Sequence, residues 1–458
     1  MAGRGFGGQM CLLVGVLWAV VLGWSPQAAA ENQDPFFLSN EAALTAGAVT
    51  AVSGDSGAPW YNPAGLVTIE RSSINISSSA FVLRWRDAQD VLRLELPGGT
   101  TDEASLRSFE LLSVPSSIVV TRRLTSDLKM GLGIFVPQQD HYTVSAELNN
   151  EDGQGQGSFR QRLKLTEELT RYHAGPSLGW QAAEGLRVGA SLFVVYEQSA
   201  LEEEFLAGFT ASEANSGFVF NRRRITLSGI GAQGVAGVQW SPVSSLTLGL
   251  TLRSPVFIFQ SFGQRERLTN RTRVNNNQRP DLDVDFQEDD FDELDVRQAY
   301  PLRAHLGVAW RFEGGHVAVE GDFRPAFKDQ EREIDSGPIV NLRAGTHFEW
   351  TQGLSVGLGA FTDLSGEDEP DELWETQVDF YGGTAGMTFS TAHLLADGSE
   401  SDDLVFSTTL ALRYAVGVGR VGGQLFRPLA SGGETSVPNV VDVVFHELGV
   451  HLGSAVYF

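Results

Sequence analysis

The stretch LRAHLGVAWRF, residues 302–312, decides the fold because apolar side chains occupy every second position. In a β-strand successive side chains point to opposite faces, so one face of this stretch is apolar, while the other carries arginine, histidine and glycine. The same alternation recurs in LTLGLTLR at 246–253 and in LRAGTHFEW at 342–350. A soluble β-sandwich has this period too, so the alternation predicts strands without separating a sandwich from a membrane barrel.

Connector lengths separate the two architectures. Short connectors, such as 181–185 and 313–315, alternate with long polar ones, such as 263–295. Short turns at one end, long loops at the other and an even strand number are typical of outer-membrane barrels. We therefore predict an all-β, transmembrane antiparallel β-barrel of about 14 strands, at 72–85, 108–122, 129–144, 159–180, 186–199, 218–240, 246–262, 296–312, 316–327, 338–350, 354–362, 380–391, 404–426 and 441–458.

Aromatic residues support a membrane location. Trp180, Trp240, Phe312 and Trp350 each stand at or beside the start of a short turn, where a barrel carries its interfacial aromatic girdle. The last strand ends in Phe458, which resembles the signal read by the barrel assembly machinery. That machinery, outer-membrane lipid and lipopolysaccharide are the expected macromolecular and lipid partners, and the barrel is expected to be a monomer in the cell outer membrane.

Composition excludes several other classes. The chain has 458 residues and a formal charge of -24, so it lacks the basic surface of a general nucleic-acid binder.

Residues 1–30 combine Arg4, an apolar core and small residues before Glu31, which predicts a cleaved secretory signal peptide containing the only cysteine, Cys11. No later apolar run is long enough to form a transmembrane helix.

Residues 31–71 differ from the wall at 72–458 because they are rich in small residues and lack a long alternating run. Their motifs EAAL at 41–44, GDS at 54–56 and WYNPAGL at 60–66 resemble the N-terminal hatch of the FadL-type outer-membrane transporters of long-chain fatty acids, a family that includes aromatic-hydrocarbon uptake members. The resemblance implies a fourteen-stranded barrel plugged by this hatch. It also implies ligand capture among the loops, hatch rearrangement and lateral exit through the wall.

Candidate site residues follow in part from that resemblance. Asn62, Pro63 and Ala64 carry the hatch motif, either as a gate or as a rigid turn locking the plug to the wall. Phe36 and Phe37 fall where the family's hatch N-terminus approaches ligand. The apolar residues of the 200–217 connector and its neighbours are candidates for the access route: Phe205, Leu206, Phe209, Phe257 and Phe259. The segment 131–137 is the candidate for a lateral opening.

Local motifs give little support for an enzyme. The GIGAQG segment at 229–234 lies in an alternating run and not on the strand-to-helix turn that a dinucleotide site needs. His446 and His451 are an odd number of residues apart, so a strand places them on opposite faces, where they cannot share a metal. The remaining histidines are scattered in sequence and are predicted to form no ligand cluster. We predict no catalytic residue, metal or cofactor.

The acidic stretch 281–295 is the strongest charge feature. It is predicted to be a solvated extracellular loop whose acids pair with the preceding arginines, with a divalent-cation site as the alternative. The function predicted from the sequence is passive uptake of long-chain fatty acids or other hydrophobic compounds. An open general porin and a barrel-mounted lipid hydrolase are the alternatives.

Overall fold

The structure, a computed structural model, describes residues 36–95, 101–151, 158–212, 215–275, 281–293, 297–329, 334–370, 375–391, 404–428 and 434–458. The predicted signal peptide at 1–30 lies outside these residues, as do the first five residues of the predicted hatch. The hatch boundaries and the cleavage site therefore stay predictions.

From residue 36 onward, three short helices precede the wall: α1 at Asn40–Leu44, α2 at Ala58–Tyr61 and a 3-10 helix at Pro63–Thr68. The strands that follow are β1 Ser73–Glu95, β2 Thr101–Arg123, β3 Leu128–Glu151, β4 Ser158–Ala183, β5 Leu186–Ser212, β6 Asn215–Val243, β7 Leu246–Arg253, β8 Val256–Asn275, β9 Asp281–Glu293, β10 Arg297–Tyr300, β11 Arg303–Phe312, β12 Gly315–Arg324, β13 Phe327–Asp329, β14 Ile334–Ser336, β15 Ile339–Thr351, β16 Leu354–Asp363, β17 Thr376–Ser390, β18 Val405–Pro428 and β19 Glu434–Tyr457.

The wall closes into an antiparallel barrel because β1 pairs with β19, from Ser73 opposite Tyr457 to Asp87 opposite Val444. β7 and β8 form one wall strand that is interrupted at Ser254 and Pro255, and β10 and β11 form another. Within the part of the chain that the structure describes, β13 and β14 pair only with each other, as a separate hairpin. With these assignments the barrel has fourteen wall strands, which confirms the predicted number.

The two faces of the wall differ as the alternation predicts. On β11, Leu306 is 62% exposed on the outside of the barrel, whereas its neighbour His305 is only 5% exposed on the inside. Trp180, Trp240, Phe312 and Trp350 are all exposed at the short-turn end, where a girdle was predicted. An apolar outer band with aromatics at its rim is the surface of a barrel embedded in lipid.

Among the described residues, the helices are too short and insufficiently apolar for any of them to cross a membrane.

The prediction of long loops is wrong in several places, because the hairpins extend well past the lipid-facing part of the wall. β5 reaches Ser212, although its strand was predicted to end at residue 199. The acidic stretch is also not a loop over its described part, since it forms β9 and pairs with β8. Register places Arg265 opposite Asp289, and opposite charges across a ladder stabilise the pairing.

Candidate functional site

The hatch lies inside the barrel, and wall glycines make room for it. A Cβ atom added to Gly237 on β6 would lie 2.0 Å from the Asn62 Oδ1 atom. One added to Gly189 on β5 would lie 2.3 Å from the carbonyl carbon of Pro63. Neither distance is possible between non-bonded atoms, so only glycine allows the hatch backbone to approach the wall this closely.

Asn62 locks the hatch motif against the wall. Its Nδ2 amide donates to the Thr50 carbonyl oxygen at 2.8 Å within the hatch and to the Val238 carbonyl oxygen at 3.1 Å on β6. Its Oδ1 atom accepts a hydrogen bond from the Ala64 backbone N–H at 3.2 Å, which caps the 3-10 helix. Asn62 and Ala64 are fully buried. This geometry favours the rigid-turn interpretation of the motif.

A buried charge network holds a second part of the hatch. The Glu320 Oε2 atom on β12 accepts hydrogen bonds from the backbone N–H groups of Val49 at 2.9 Å and Thr50 at 2.8 Å. The other carboxylate oxygen lies 3.0 Å from His305 Nδ1 and 3.6 Å from Arg343 Nη1. Two hatch donors that could not reach water are thereby satisfied by a wall carboxylate that is itself charge-paired. Nothing in the local sequence marks Glu320 for this role.

Helix α1 is held at the short-turn end of the lumen. Glu41 contacts His347 of β15 at 2.7 Å and His316 of β12 at 3.2 Å. Burial alone would raise the pKa of Glu41, but His347 and His316 outweigh it and hold that pKa well below its ordinary range. Burial raises the pKa of Asp55 in the hatch, and the nearby charge of Glu41 raises it further. The prediction that the histidines form no cluster is wrong, since strand register pairs His316 with His347.

Phe36 and Phe37, the predicted ligand contacts of the hatch, are both buried. Phe36 packs with Val82 of β1 and Val136 of β3. The Phe37 ring meets the Phe361 ring edge-on, with 6.0 Å between centroids. The two neighbouring side chains therefore pack in different directions, one towards β3 and one towards β16.

The wall has a seam beside Phe36. β2 pairs with β3 from Arg123 opposite Lys129 to Ser117 opposite Phe135, and among the described residues their ladder ends there. Pro115 of β2 and Pro137 of β3 lie just beyond that point, and proline has no backbone N–H to donate to a ladder. The pairing of β3 with β4 is also irregular between Phe135 and Gln138. The seam thus begins at the predicted segment 131–137.

A cavity of about 170 Å³ lies above the hatch, at the long-loop end of the lumen. Its apolar lining includes Val378, Phe380 and Phe445. Its charged lining consists of two arginines and five carboxylates: Arg84, Arg86, Asp140, Glu167, Asp363, Glu367 and Glu447. Arg84 is buried and contacts Asp140 at 2.5 Å and Glu447 at 3.1 Å, so its charge is already matched.

Phe37 is linked to this cavity through Arg413. The Arg413 guanidinium is centred 6.0 Å from the Phe37 ring and 4.6 Å from the Phe361 ring. Arg413 also donates a hydrogen bond to Glu447, at 2.8 Å, and Glu447 lines the cavity. The lining of the cavity is therefore connected to the hatch N-terminus through one arginine.

The other residues predicted to contact the ligand are not among those that line the cavity. Phe205 and Leu206 are half-buried on β5, where Phe205 packs against the main apolar cluster. The Phe209 side chain lies outside the described residues. Neither Phe205 nor Leu206 is among the residues that line the cavity, and Phe257 and Phe259 are partly exposed.

The sequence did not predict one group of aromatic side chains, which surrounds Trp60. Trp60 of α2 lies 5.4 Å from Phe135, 5.1 Å from His173 and 5.9 Å from Phe193, between ring centroids. The Arg253 guanidinium is centred 3.8 Å from the Trp60 ring. This group covers the wall at the residue where the β2–β3 ladder ends. Only the register of four strands brings it together, so no local pattern could have shown it.

His446 and His451 have the geometry expected of a strand. His451 is buried, and its Nε2 atom lies 3.2 Å from Asn40 Oδ1 in the hatch. His446 faces outward, with its Nδ1 atom 3.0 Å from the Tyr414 hydroxyl. The two rings are on opposite faces of β19, as predicted.

Comparison with known proteins bears on the fold. No protein-family model and no curated protein matches the chain. The structure of a FadL homologue of Pseudomonas aeruginosa is similar, with a TM-score of 0.52 and 12% identity, over 91% of this chain and 97% of that one. The CymD monoaromatic hydrocarbon channel matches with a TM-score of 0.50 and 11% identity, over 92% of this chain and 97% of that one. The resemblance predicted from the sequence is thus confirmed at the level of architecture, and the chain has the fold of a FadL homologue, a fourteen-stranded transmembrane barrel with its N-terminal segment inside.

Proposed function

We propose that this protein is an outer-membrane channel for the passive uptake of hydrophobic compounds. The observation that carries the proposal is the position of Phe36, which packs against Val136 where the β2–β3 ladder ends. A plug residue that covers a seam in a lipid-facing wall is what lateral release into the membrane requires. The location follows from the architecture, because closed barrels with an apolar outer band are the spanning form of outer membranes.

The route that we propose has three stages. A hydrophobic molecule enters the 170 Å³ cavity at the long-loop end. It then displaces the hatch N-terminus at Phe37, which Arg413 links to the cavity lining, and at Phe36, beside the seam. Finally it leaves sideways between β2 and β3 into the outer leaflet. Burial of apolar surface drives each stage, so no energy source is needed.

The cavity favours a small neutral substrate over a long-chain fatty acid. Its volume is close to the ~150 Å³ of an engineered apolar cavity that binds benzene. Its buried arginine, Arg84, is already paired with Asp140 and Glu447, so its charge is not available to a fatty carboxylate. The similar CymD structure belongs to a monoaromatic hydrocarbon channel, which agrees with this preference.

Uptake by whole cells tests the proposal. The chain would be expressed in a Gram-negative host that lacks its own FadL-type transporter, and uptake of radiolabelled toluene and oleate would be measured at low concentration. We expect faster toluene uptake than in the empty host and a smaller effect on oleate. Correct insertion without any gain for either compound would overturn the transport role, and a gain for oleate alone would overturn the substrate preference.

A reversible cross-link tests the lateral route. Ser116→Cys on β2 and Val136→Cys on β3 would stand on the two sides of the seam, and Cys11 is the only native cysteine. Bridging them with a cleavable bis-maleimide should stop toluene uptake, and reduction of the linker should restore it. Either single-cysteine variant, treated in the same way, should keep its uptake. Undiminished uptake through a bridged seam would show that the substrate leaves elsewhere.

A further inference from the structure

Helix α1 of the hatch meets two wall histidines at the short-turn end of the barrel. His316 follows the β11–β12 turn by two residues, and His347 is its register partner on β15. Glu41 reaches both, with Oε2 at 2.7 Å from His347 Nδ1 and Oε1 at 3.2 Å from His316 Nε2. The two imidazole rings are nearly perpendicular, with 5.8 Å between centroids. Three side chains from three separate elements therefore converge on one point.

Two buried polar atoms of this cluster lack hydrogen bonds of good geometry. Glu41 Oε1 and His316 Nε2 are buried and lie 3.2 Å apart, but within the described residues neither atom makes a hydrogen bond of good geometry, to the other or to a third group. An unsatisfied buried acceptor and ring nitrogen are costly, since each has lost its water without replacing it. One ligand atom of each of the three residues lies within 4.8 Å of the others. A positive ion bound between the three side chains would satisfy both atoms at once.

The ligand set matches a transition metal. One oxygen or nitrogen from each residue lies within 4.8 Å of the others, which surrounds a common centre. Tetrahedral zinc with bonds of 2.0–2.1 Å places its ligand atoms roughly 3.3 Å apart, so small side-chain rotations would suffice. Two imidazoles with one carboxylate suit zinc and not calcium or magnesium, which prefer oxygen ligands.

The surroundings fit a site that an ion can reach and keep. The three side chains are 14–23% exposed, so solvent reaches the centre without surrounding it. The Glu41 backbone N–H donates to Asp55 Oδ2 at 3.1 Å, which fixes the start of α1. Support of this kind around the ligands is what orients a metal site.

We propose that Glu41, His316 and His347 bind one divalent transition-metal ion, with zinc the best match, and that the ion pins the hatch to the wall. Three protein ligands leave a fourth position for water. The role is structural, because the ion joins α1 to β12 and β15 and thereby opposes displacement of the hatch from this end. The site does not depend on the proposed transport function.

Calorimetric titration of the purified full chain, carrying a tag without histidines, tests the proposal. We expect one Zn²⁺ per chain with a dissociation constant in the micromolar range or tighter, and no comparable binding of Mg²⁺. His316→Ala and His347→Ala should each weaken zinc binding at least tenfold. His451→Ala should not, because that histidine contacts Asn40 of the hatch outside the cluster.

Two further measurements keep the test decisive. If the alanine variants fail to assemble, Glu41→Gln preserves the side-chain volume and removes the charged ligand, so it should weaken zinc binding similarly. Co²⁺ added to the native chain should give the visible absorption of a four-coordinate site, and Glu41→Gln should abolish it. Absence of zinc binding, or binding that all three cluster variants retain, would overturn the proposal.

Discussion

Asn62 has the most connected side chain of the hatch motif, because its amide joins two parts of the hatch to the wall. Replacing it with aspartate keeps an oxygen for the Ala64 N–H but turns a second oxygen towards the carbonyls of Thr50 and Val238. A lost hydrogen bond together with a buried unsatisfied acceptor costs about 1–3 kcal/mol. We therefore expect Asn62→Asp to loosen the hatch, which planar-bilayer recording would detect as raised ion conductance.

The same recording separates the plugged channel from an open porin. The native chain should pass little ion current, since the hatch fills the lumen. Asn75→Asp is a suitable control, because Asn75 is buried on β1 and donates to Ser73 of the same strand. Large, steady conductance in the native protein would contradict the plug, and equal conductance in both variants would contradict the locking role of Asn62.

Glu320 is the corresponding anchor on the wall. Glutamine in its place has one acceptor oxygen where the carboxylate has two, so either the hatch N–H groups or His305 would lose a partner. Hydrogen bonds to charged groups contribute about 1.5–3 kcal/mol each. We expect Glu320→Gln to speed hydrogen exchange in the hatch around Val49 and Thr50, as measured by mass spectrometry. Glu313→Gln on an exposed turn should leave the exchange unchanged, and equal rates in both variants would contradict the anchoring.

The close packing of the hatch against strand β6 can be tested by adding a methyl group at the contact. Gly237→Ala would place a methyl group within 2.0 Å of Asn62 Oδ1, so we expect the hatch to shift away from β6. Ala51→Cys, introduced in the hatch at a buried position, would report this shift by faster maleimide labelling. The matched control is Gly321→Ala on β12, whose added methyl group would have its nearest neighbour at 3.9 Å. Equally slow labelling in the Gly237→Ala and Gly321→Ala proteins would mean that the added methyl group moves the wall and leaves the hatch in place.

The elements also show which parts of the fold can be predicted from sequence. The alternation of residues 302–312 is a local property, and β11 confirms it because lipid on one side and a packed lumen on the other select the same period. Strand ends were harder to predict, and β5 extends well past its predicted end. Beyond the membrane a hairpin needs only cross-strand pairing, so its residues need not alternate between apolar and polar. Register is not local either, so the pairing of His316 with His347 could not be predicted.

For the whole molecule, the main division lies between the apolar outer wall and the charged lumen. Many charged side chains of the lumen pair with one another or bind the hatch. Arg84 contacts Asp140 and Glu447, and Glu320 accepts hydrogen bonds from the hatch backbone. Such pairing lets a barrel keep ionised groups in a narrow interior, because each charge has a partner that replaces lost water. The net charge of the chain, -24, therefore gives no direct measure of what the lumen attracts.

The lumen charge balance leads to the last prediction, which concerns substrate choice. Glu447 shares two arginines, with Arg413 at 2.8 Å and Arg84 at 3.1 Å, so Glu447→Gln would release positive charge beside the cavity. A fatty carboxylate should then bind about tenfold more tightly, which corresponds to about 1.4 kcal/mol, whereas the affinity for toluene should not change. Calorimetric titration of decanoate and toluene into protein in lipid nanodiscs would measure both. Glu184→Gln on an exposed turn should alter neither affinity. If Glu447→Gln binds decanoate no better than the native chain does, the pairing of the lumen arginines is not what sets the preference for neutral molecules.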